Sequence, residues 1–210
     1  MFFISHSISF SQIYLGGEFG GNASKIRFDD NIIQEDFKHI QDYQYGYSAG
    51  LSGLFYFSKV LNVNTDLLYT KKGFAYTQPF SDGYKTFDYL QLSAAGQLDL
   101  NPKDDIVFSP YIGTYGAYWI SGERSFFDYK QNTFVTDKIY LNSDTSFAYN
   151  RYDLGVTVGI EAKFEQNYYR WLVLGLKYEH GMLSTDIEKV LGWKNRNLSV
   201  YLKYFFKTNN

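Results

Sequence analysis

Apolar and polar residues alternate along most of the chain with a period of two, the signature of strands with two unlike faces. Between Asp153 and Phe164 one face carries Leu154, Val156, Val158, Ile160, Ala162 and Phe164. The other carries Asp153, Gly155, Thr157, Gly159, Glu161 and Lys163. The same rhythm returns at Leu172 to Tyr178, Leu198 to Phe206, Leu61 to Tyr69 and Leu90 to Leu100. It returns less cleanly at Ile13 to Gly21 and Gly46 to Phe57, where glycines interrupt both faces. With Ile106 to Ile120, which contains Pro110, these segments predict about eight strands. Most span about ten residues, longer than the ~5–6 usual in soluble sheets and close to the ~9–11 that cross a bilayer at a tilt.

Alternation does not say which face is outside, because a lipocalin-like barrel buries its greasy face and a membrane barrel turns it to lipid. The connections separate the two. Those after the second, fourth and sixth strands are short (58–60, 101–105, 165–170). Those after the first, third, fifth and seventh are long (22–45, 71–85, 121–150, 181–196). Tight turns at one end and long loops at the other are the plan of an outer-membrane barrel, with both termini on the short-turn, periplasmic side. The expected fold is therefore an all-β, eight-stranded, antiparallel, up-and-down transmembrane β-barrel.

The polar parity contains Glu18, Asp66, Asp153, Glu161, Lys163, Lys177, Glu179 and Lys203. A Lys facing lipid at mid-depth costs about 2–4 kcal/mol, so these residues are expected to face inward as a paired polar network. An eight-stranded barrel is only wide enough to be filled by side chains. The expected interior is a plug, with a narrow small-solute channel as the alternative. Tyr, Phe and Trp near strand ends are expected to form two interfacial girdles. They include Tyr45, Tyr47, Tyr56, Tyr89, Tyr111, Tyr118, Trp119, Tyr152, Trp171, Tyr178 and Phe206.

Composition narrows the field further. The 210 residues hold no Cys, 20 Lys+Arg and 22 Asp+Glu, and one residue in five is aromatic. A net charge of -2 gives no basic field for phosphate backbones, so nucleic acid is not an expected partner. Without Cys there is neither a disulfide framework nor a thiolate metal site. Residues 1–11 (MFFISHSISFS) are apolar and Ser-rich, with small residues at Ser9 and Ser11, and are expected to be a signal peptide. No Lys or Arg precedes the apolar stretch, so that reading takes the signal to be truncated. The remaining 12–210 form a single barrel domain.

The segment Gly53 to Phe74 (GLFYFSKVLNVNTDLLYTKKGF) has a short Ser-Lys turn, an acidic residue inside the next strand and Tyr-x-x-Lys-Gly at its end. It resembles the second hairpin of the PorT-like outer-membrane β-barrel proteins. Tyr89-Leu90-Gln91-Leu92, Pro110-Tyr111-Ile112-Gly113, Asp153-Leu154-Gly155, Tyr178-Glu179-His180-Gly181 and Ser199 to Phe206 follow in the family's order. Asp66 stands where Glu is usual, Ser93 where Pro is common, and Lys207 to Asn210 follow the last aromatic. The resemblance implies residence in the outer membrane of a Gram-negative cell and assigns no single activity.

Catalysis has little to work with. Beyond residue 11 only His39 and His180 could serve as imidazole bases, and no Gly-x-Ser-x-Gly elbow occurs. His180 with Asp186 or Ser184 is the one pairing available, and a solvated rim His accounts for it as well. Asp29, Asp30, Asn31, Glu35 and Asp36 offer oxygen donors without the spacing of a calcium loop. No catalytic residue, metal or cofactor is expected. Phe126, Phe127, Tyr129, Phe134, Tyr140 and Phe147 crowd one long connection. They are the candidate surface for a partner, with a larger outer-membrane protein complex as the expectation, since aromatic residues are enriched at interfaces. The expectation is a non-enzymatic outer-membrane barrel with a structural or accessory role. Its alternatives are a solute porin and, further off, a soluble ligand-binding barrel.

Overall fold

The computed structural model describes residues 12–28, 35, 40–77, 82–130, 132–139, 150–167, 169–184 and 192–208. Ten strands follow one another: β1 (Gln12–Phe28), β2 (Gln41–Asp42), β3 (Gln44–Tyr56), β4 (Leu61–Tyr76), β5 (Gly83–Leu98), β6 (Ile106–Asp128), β7 (Thr133–Lys138), β8 (Tyr152–Asn167), β9 (Arg170–Gly181) and β10 (Trp193–Lys207). Eight of them, β1, β3, β4, β5, β6, β8, β9 and β10, pair antiparallel in that order. β10 then pairs with β1 from Tyr14↔Lys207 to Phe28↔Trp193, closing the ring. Closure leaves no ladder edge within the wall, which is what a bilayer demands of a sheet. No helix among the described residues is long and apolar enough to cross a membrane.

The greasy parity faces out. Val156, Val158, Ile160, Leu172, Leu174, Leu176, Val200 and Leu202 are all exposed, and Phe19 and Ile112 reach 66% and 67%. Their polar neighbours Thr157, Glu161 and Lys163 are buried. The partition is the reverse of a soluble barrel's.

Three connections at one end are tight, between Tyr56 and Leu61, Leu98 and Ile106, and Asn167 and Arg170. At the other end the strands outrun their expected limits. β1 continues to Phe28, β4 to Tyr76 and β6 to Asp128, through residues that the sequence pattern assigns to loops. The reason is a reversal of polarity along the strand. Below, polar residues face in. Above, Ile26, Phe28, Phe74 and Trp193 are buried inside while Arg27 is exposed and Lys25, Lys194 and Arg196 are half-buried on the opposite parity. Once the wall leaves the hydrocarbon its outer face is wetted, so the hydrophobic rhythm fades although the backbone ladder continues. Part of the expected 121–150 loop is likewise a hairpin, in which β7 pairs with β6 from Glu123↔Lys138 to Asp128↔Thr133. Its turn contains Asn132 at φ 51°, a left-handed conformation that Asn tolerates better than most side chains.

The expected girdles need correction. Tyr45, Tyr47, Tyr118, Tyr152, Tyr178 and Phe206 do stand on the outer surface, but Tyr56, Tyr89, Tyr111 and Trp119 are buried inside the barrel. Trp171 packs against an interior cluster. These rings share the inward parity of their strands, and each strand end offers two faces. Two positions show how they fit. A Cβ on Gly175 would lie 2.1 Å from the Tyr201 ring, and one on Gly159 would lie 2.5 Å from Tyr111. Each glycine sits opposite its tyrosine across the ladder. The bare backbone is the floor on which the ring lies.

Candidate functional site: a charged barrel interior between two apolar layers

Apolar layers occupy the two ends of the interior. Toward the loops, Ile26, Phe28, Phe74, Phe87, Tyr89, Tyr115, Ala117, Trp119 and Trp193 form one cluster. Toward the turns, Tyr14, Leu54, Tyr56, Val173 and Phe205 form another. Along β1 and β10 the charged residues Glu18 and Lys203 lie between them.

The ammonium of Lys203 sits at the centre of the charged layer. Its Nζ lies 3.0 Å from Asp66, 3.1 Å from Glu161 and 3.4 Å from Glu18. Lys177 lies 3.3 Å from Glu18 and 3.8 Å from Glu179, and Lys72 completes the run at 2.9 Å from Glu179. Alternating signs thus connect Lys72, Glu179, Lys177, Glu18, Lys203, Asp66 and Glu161. Lys163 pairs separately with Asp99 at 2.8 Å. Asp153 has no ammonium within ion-pair reach among the described residues and accepts hydrogen bonds from Tyr115 (3.2 Å) and Asn195 (3.0 Å).

Burying charge is tolerable only where each ion is also hydrogen-bonded, and neutral side chains supply those bonds. Gln97 and Tyr201 donate to Glu161 at 2.6 and 2.8 Å. Gln91 and Asn197 donate to Glu179 at 2.6 and 3.0 Å. Ser52 and Ser93 donate to Asp66 at 2.7 and 3.2 Å, while Ser109, Asn62 and Tyr56 donate to Asp99. The Tyr111 and Tyr201 hydroxyls meet at 3.0 Å. The carboxylates are held by donors on several strands, which ties the wall together across its diameter.

Glu18, Asp66, Asp153, Glu161, Lys163, Lys177, Glu179 and Lys203 all fall inside. Lys72 and Asp99 join them inside. Asp99 stands on the polar parity of the Leu90 to Leu100 segment but outside the eight charged residues expected in the interior. Lys72 lies past the point where the outward rhythm of β4 fades, and extending the inward count one step beyond Thr70 would have reached it.

The aromatic connection is only partly brought together. Phe127 packs edge-on to Tyr129 (4.8 Å) and Phe134 (5.2 Å), and Phe126 is half-buried beside them on β6. Tyr129 and Phe134 are exposed. Tyr140 and Phe147 lie outside the described residues, as do His39, Asp29, Asp30, Asn31, Asp36 and Asp186. His180 stands on the outward face of β9 with its Nδ1 3.4 Å from the Tyr178 hydroxyl. No group of metal-binding side chains occurs among the described residues.

Residues 7–186 match the family described as outer membrane protein beta-barrel domain. No curated protein matches the chain. Among solved structures, the outer membrane protein OprG from Pseudomonas aeruginosa is 11% identical, with 95% of this chain and 96% of that one covered and a TM-score of 0.53. That likeness is one of fold. Ail of Yersinia pestis is 13% identical over 93% and 98% of the two chains, TM-score 0.44. Neisserial surface protein A is 15% identical over 91% and 95%, TM-score 0.43.

Proposed function

This chain belongs to the outer membrane protein beta-barrel family, and from that premise we propose that it is a closed, non-enzymatic barrel of the PorT-like kind with a structural or accessory role. It resides in the outer membrane, embedded in lipid. The observation that carries the closed reading is the interior: an ion-paired lattice centred on Lys203, lying between the two apolar clusters. Solute would have to displace salt bridges and two layers of rings. The PorT-like reading draws on the hairpin of β3 and β4, where Ser58-Lys59 occupies the tight turn and Asp66 is bound to Lys203.

In this proposal both termini face the periplasm, residues 1–11 are a leader, and 12–210 are the mature domain. The long-loop end binds a partner protein through the β6–β7 hairpin, whose Tyr129 and Phe134 are exposed; Phe126, Phe127, Tyr140 and Phe147 belong to the same proposed surface. The test is purification of the full chain from its native membrane in mild detergent, with identification of the proteins that travel with it. A defined outer-membrane protein is expected at constant stoichiometry, and Tyr129→Ser with Phe134→Ser is expected to release it. In planar bilayers the purified barrel is expected to be silent. Steady conductance steps would replace this reading with that of a small-solute channel.

A further inference from the structure

On the outer surface the apolar belt ends abruptly along one arc. Ala23, Leu198 and Tyr178 are neighbours across β1, β10 and β9. One outward position higher, the same hydrogen-bonded row reads Lys25, Arg196 and His180, and the row above that pairs Arg27 with Lys194. Lys and Arg at this level are placed where headgroups meet the barrel. Elsewhere on the rim two such charges are paired: Lys71 lies 3.8 Å from Asp88, and Arg124 bonds Asp137 at 3.1 Å. Lys25, Arg27 and Arg196 have no carboxylate partner among the described residues, in a chain whose net charge is -2. Lys25, Arg27, Lys194 and Arg196 thus stand together on this arc.

The arc is also concave. Ala23, Lys25, Tyr43, Tyr178, Arg196 and Leu198 line a groove, with the Lys25 ammonium over the Tyr43 ring at 4.6 Å. Arg196 Nε is buried there without a hydrogen-bond acceptor. An N–H left without an acceptor is costly, and a small shift of the half-buried Arg196 side chain would turn it to an anion in the groove. Below the cations the floor is aliphatic and aromatic, so a ligand occupying the groove meets charge above and hydrocarbon beneath.

We propose that this groove binds the phosphorylated headgroup of an anionic lipid in the leaflet at the long-loop end, with Lys25 and Arg196 holding the phosphate and Arg27 at the upper edge. Arginine's planar fork suits two phosphate oxygens at once, and Lys25 adds a mobile point charge. A lipid fits better than a free anion because the groove is continuous with the acyl-facing belt through Leu198 and Ala23. The site is independent of any protein bound by the loops.

The experiment uses the full chain reconstituted in phosphatidylcholine vesicles doped with phosphatidic acid, then released and weighed intact by native mass spectrometry. Phosphatidic acid is expected to stay bound in preference to phosphatidylcholine. Lys25→Gln and Arg196→Gln are each expected to lower its retention roughly fivefold, while Lys71→Gln leaves it unchanged. Variants are checked for an intact strand spectrum by circular dichroism. Equal retention of the two lipids by the unaltered chain overturns the proposal, as does unchanged retention in a folded Lys25→Gln/Arg196→Gln double variant. Complete displacement by excess inorganic phosphate would reassign the groove to a soluble anion and overturn the lipid.

Discussion

Lys203 is the residue on which the interior's charge balance turns, because Glu18, Asp66 and Glu161 all lie within 3.4 Å of its Nζ. Replacing it with Met keeps most of the volume and removes the ammonium that the three share. The expected loss is about 3–5 kcal/mol, measured by urea unfolding in lipid vesicles, since buried ions left without a partner cost more than the pair contributed. Gly175 shows a different kind of constraint. Because a Cβ would overlap the Tyr201 ring at 2.1 Å, Gly175→Ala is expected to lower stability by about 1–3 kcal/mol. Pairing it with Tyr201→Leu should return part of that loss by clearing the ring. A Gly175→Ala variant as stable as the parent would show that Tyr201 has other room.

Among the elements, β8 displays most plainly how a strand serves two solvents. Val158 faces lipid at 41% exposure while Thr157 and Glu161 on the other parity are buried. Val158→Arg is therefore expected to destabilise the folded barrel by about 2–4 kcal/mol in bilayers, read from the same unfolding titration. In a water-soluble barrel that substitution would be nearly neutral on the outer face. The eight alternating segments were legible in the sequence because the contrast between lipid and lumen is strongest at mid-membrane. The upper reaches of β1, β4 and β6 were not, because there the outer face is charged and the inner one aromatic, as at Lys25 and Ile26. Alternation persists, but with its sign reversed, and a search for greasy outward positions stops short. Lys72 was hidden because its outward neighbour Lys71 is charged, so the greasy rhythm of β4 ends one residue before it, although it belongs to the ion lattice.

For the whole molecule, the closed-barrel proposal has the two apolar clusters keep bulk ions from the layer of Glu18, Lys203 and their partners. Mobile salt screens exposed pairs strongly and buried ones far less. The stability difference between the parent and Lys203→Met is accordingly expected to stay constant as salt is raised, measured by unfolding at low and high ionic strength. A cost that shrinks with salt would mean that water and ions reach the lumen. The sealing rings also explain why girdle assignment by strand end failed for Tyr56, Tyr89, Tyr111 and Trp119: proximity to an interface does not say which side of the wall a ring occupies.

Local pattern alone determined the eight strands of the wall, their up-and-down order and the inward parity of the charged residues, because a period of two and the price of an ion in hydrocarbon act along a single strand. Which ammonium meets which carboxylate was decided only when eight strands closed into a ring. Register brings Lys203 to Asp66 across 137 positions of chain, and neither residue's neighbours in sequence encode that meeting. Closure likewise placed Lys25, Arg196 and His180 in one row, since a patch made from the first strand and the last two exists only where the ends of the sheet join.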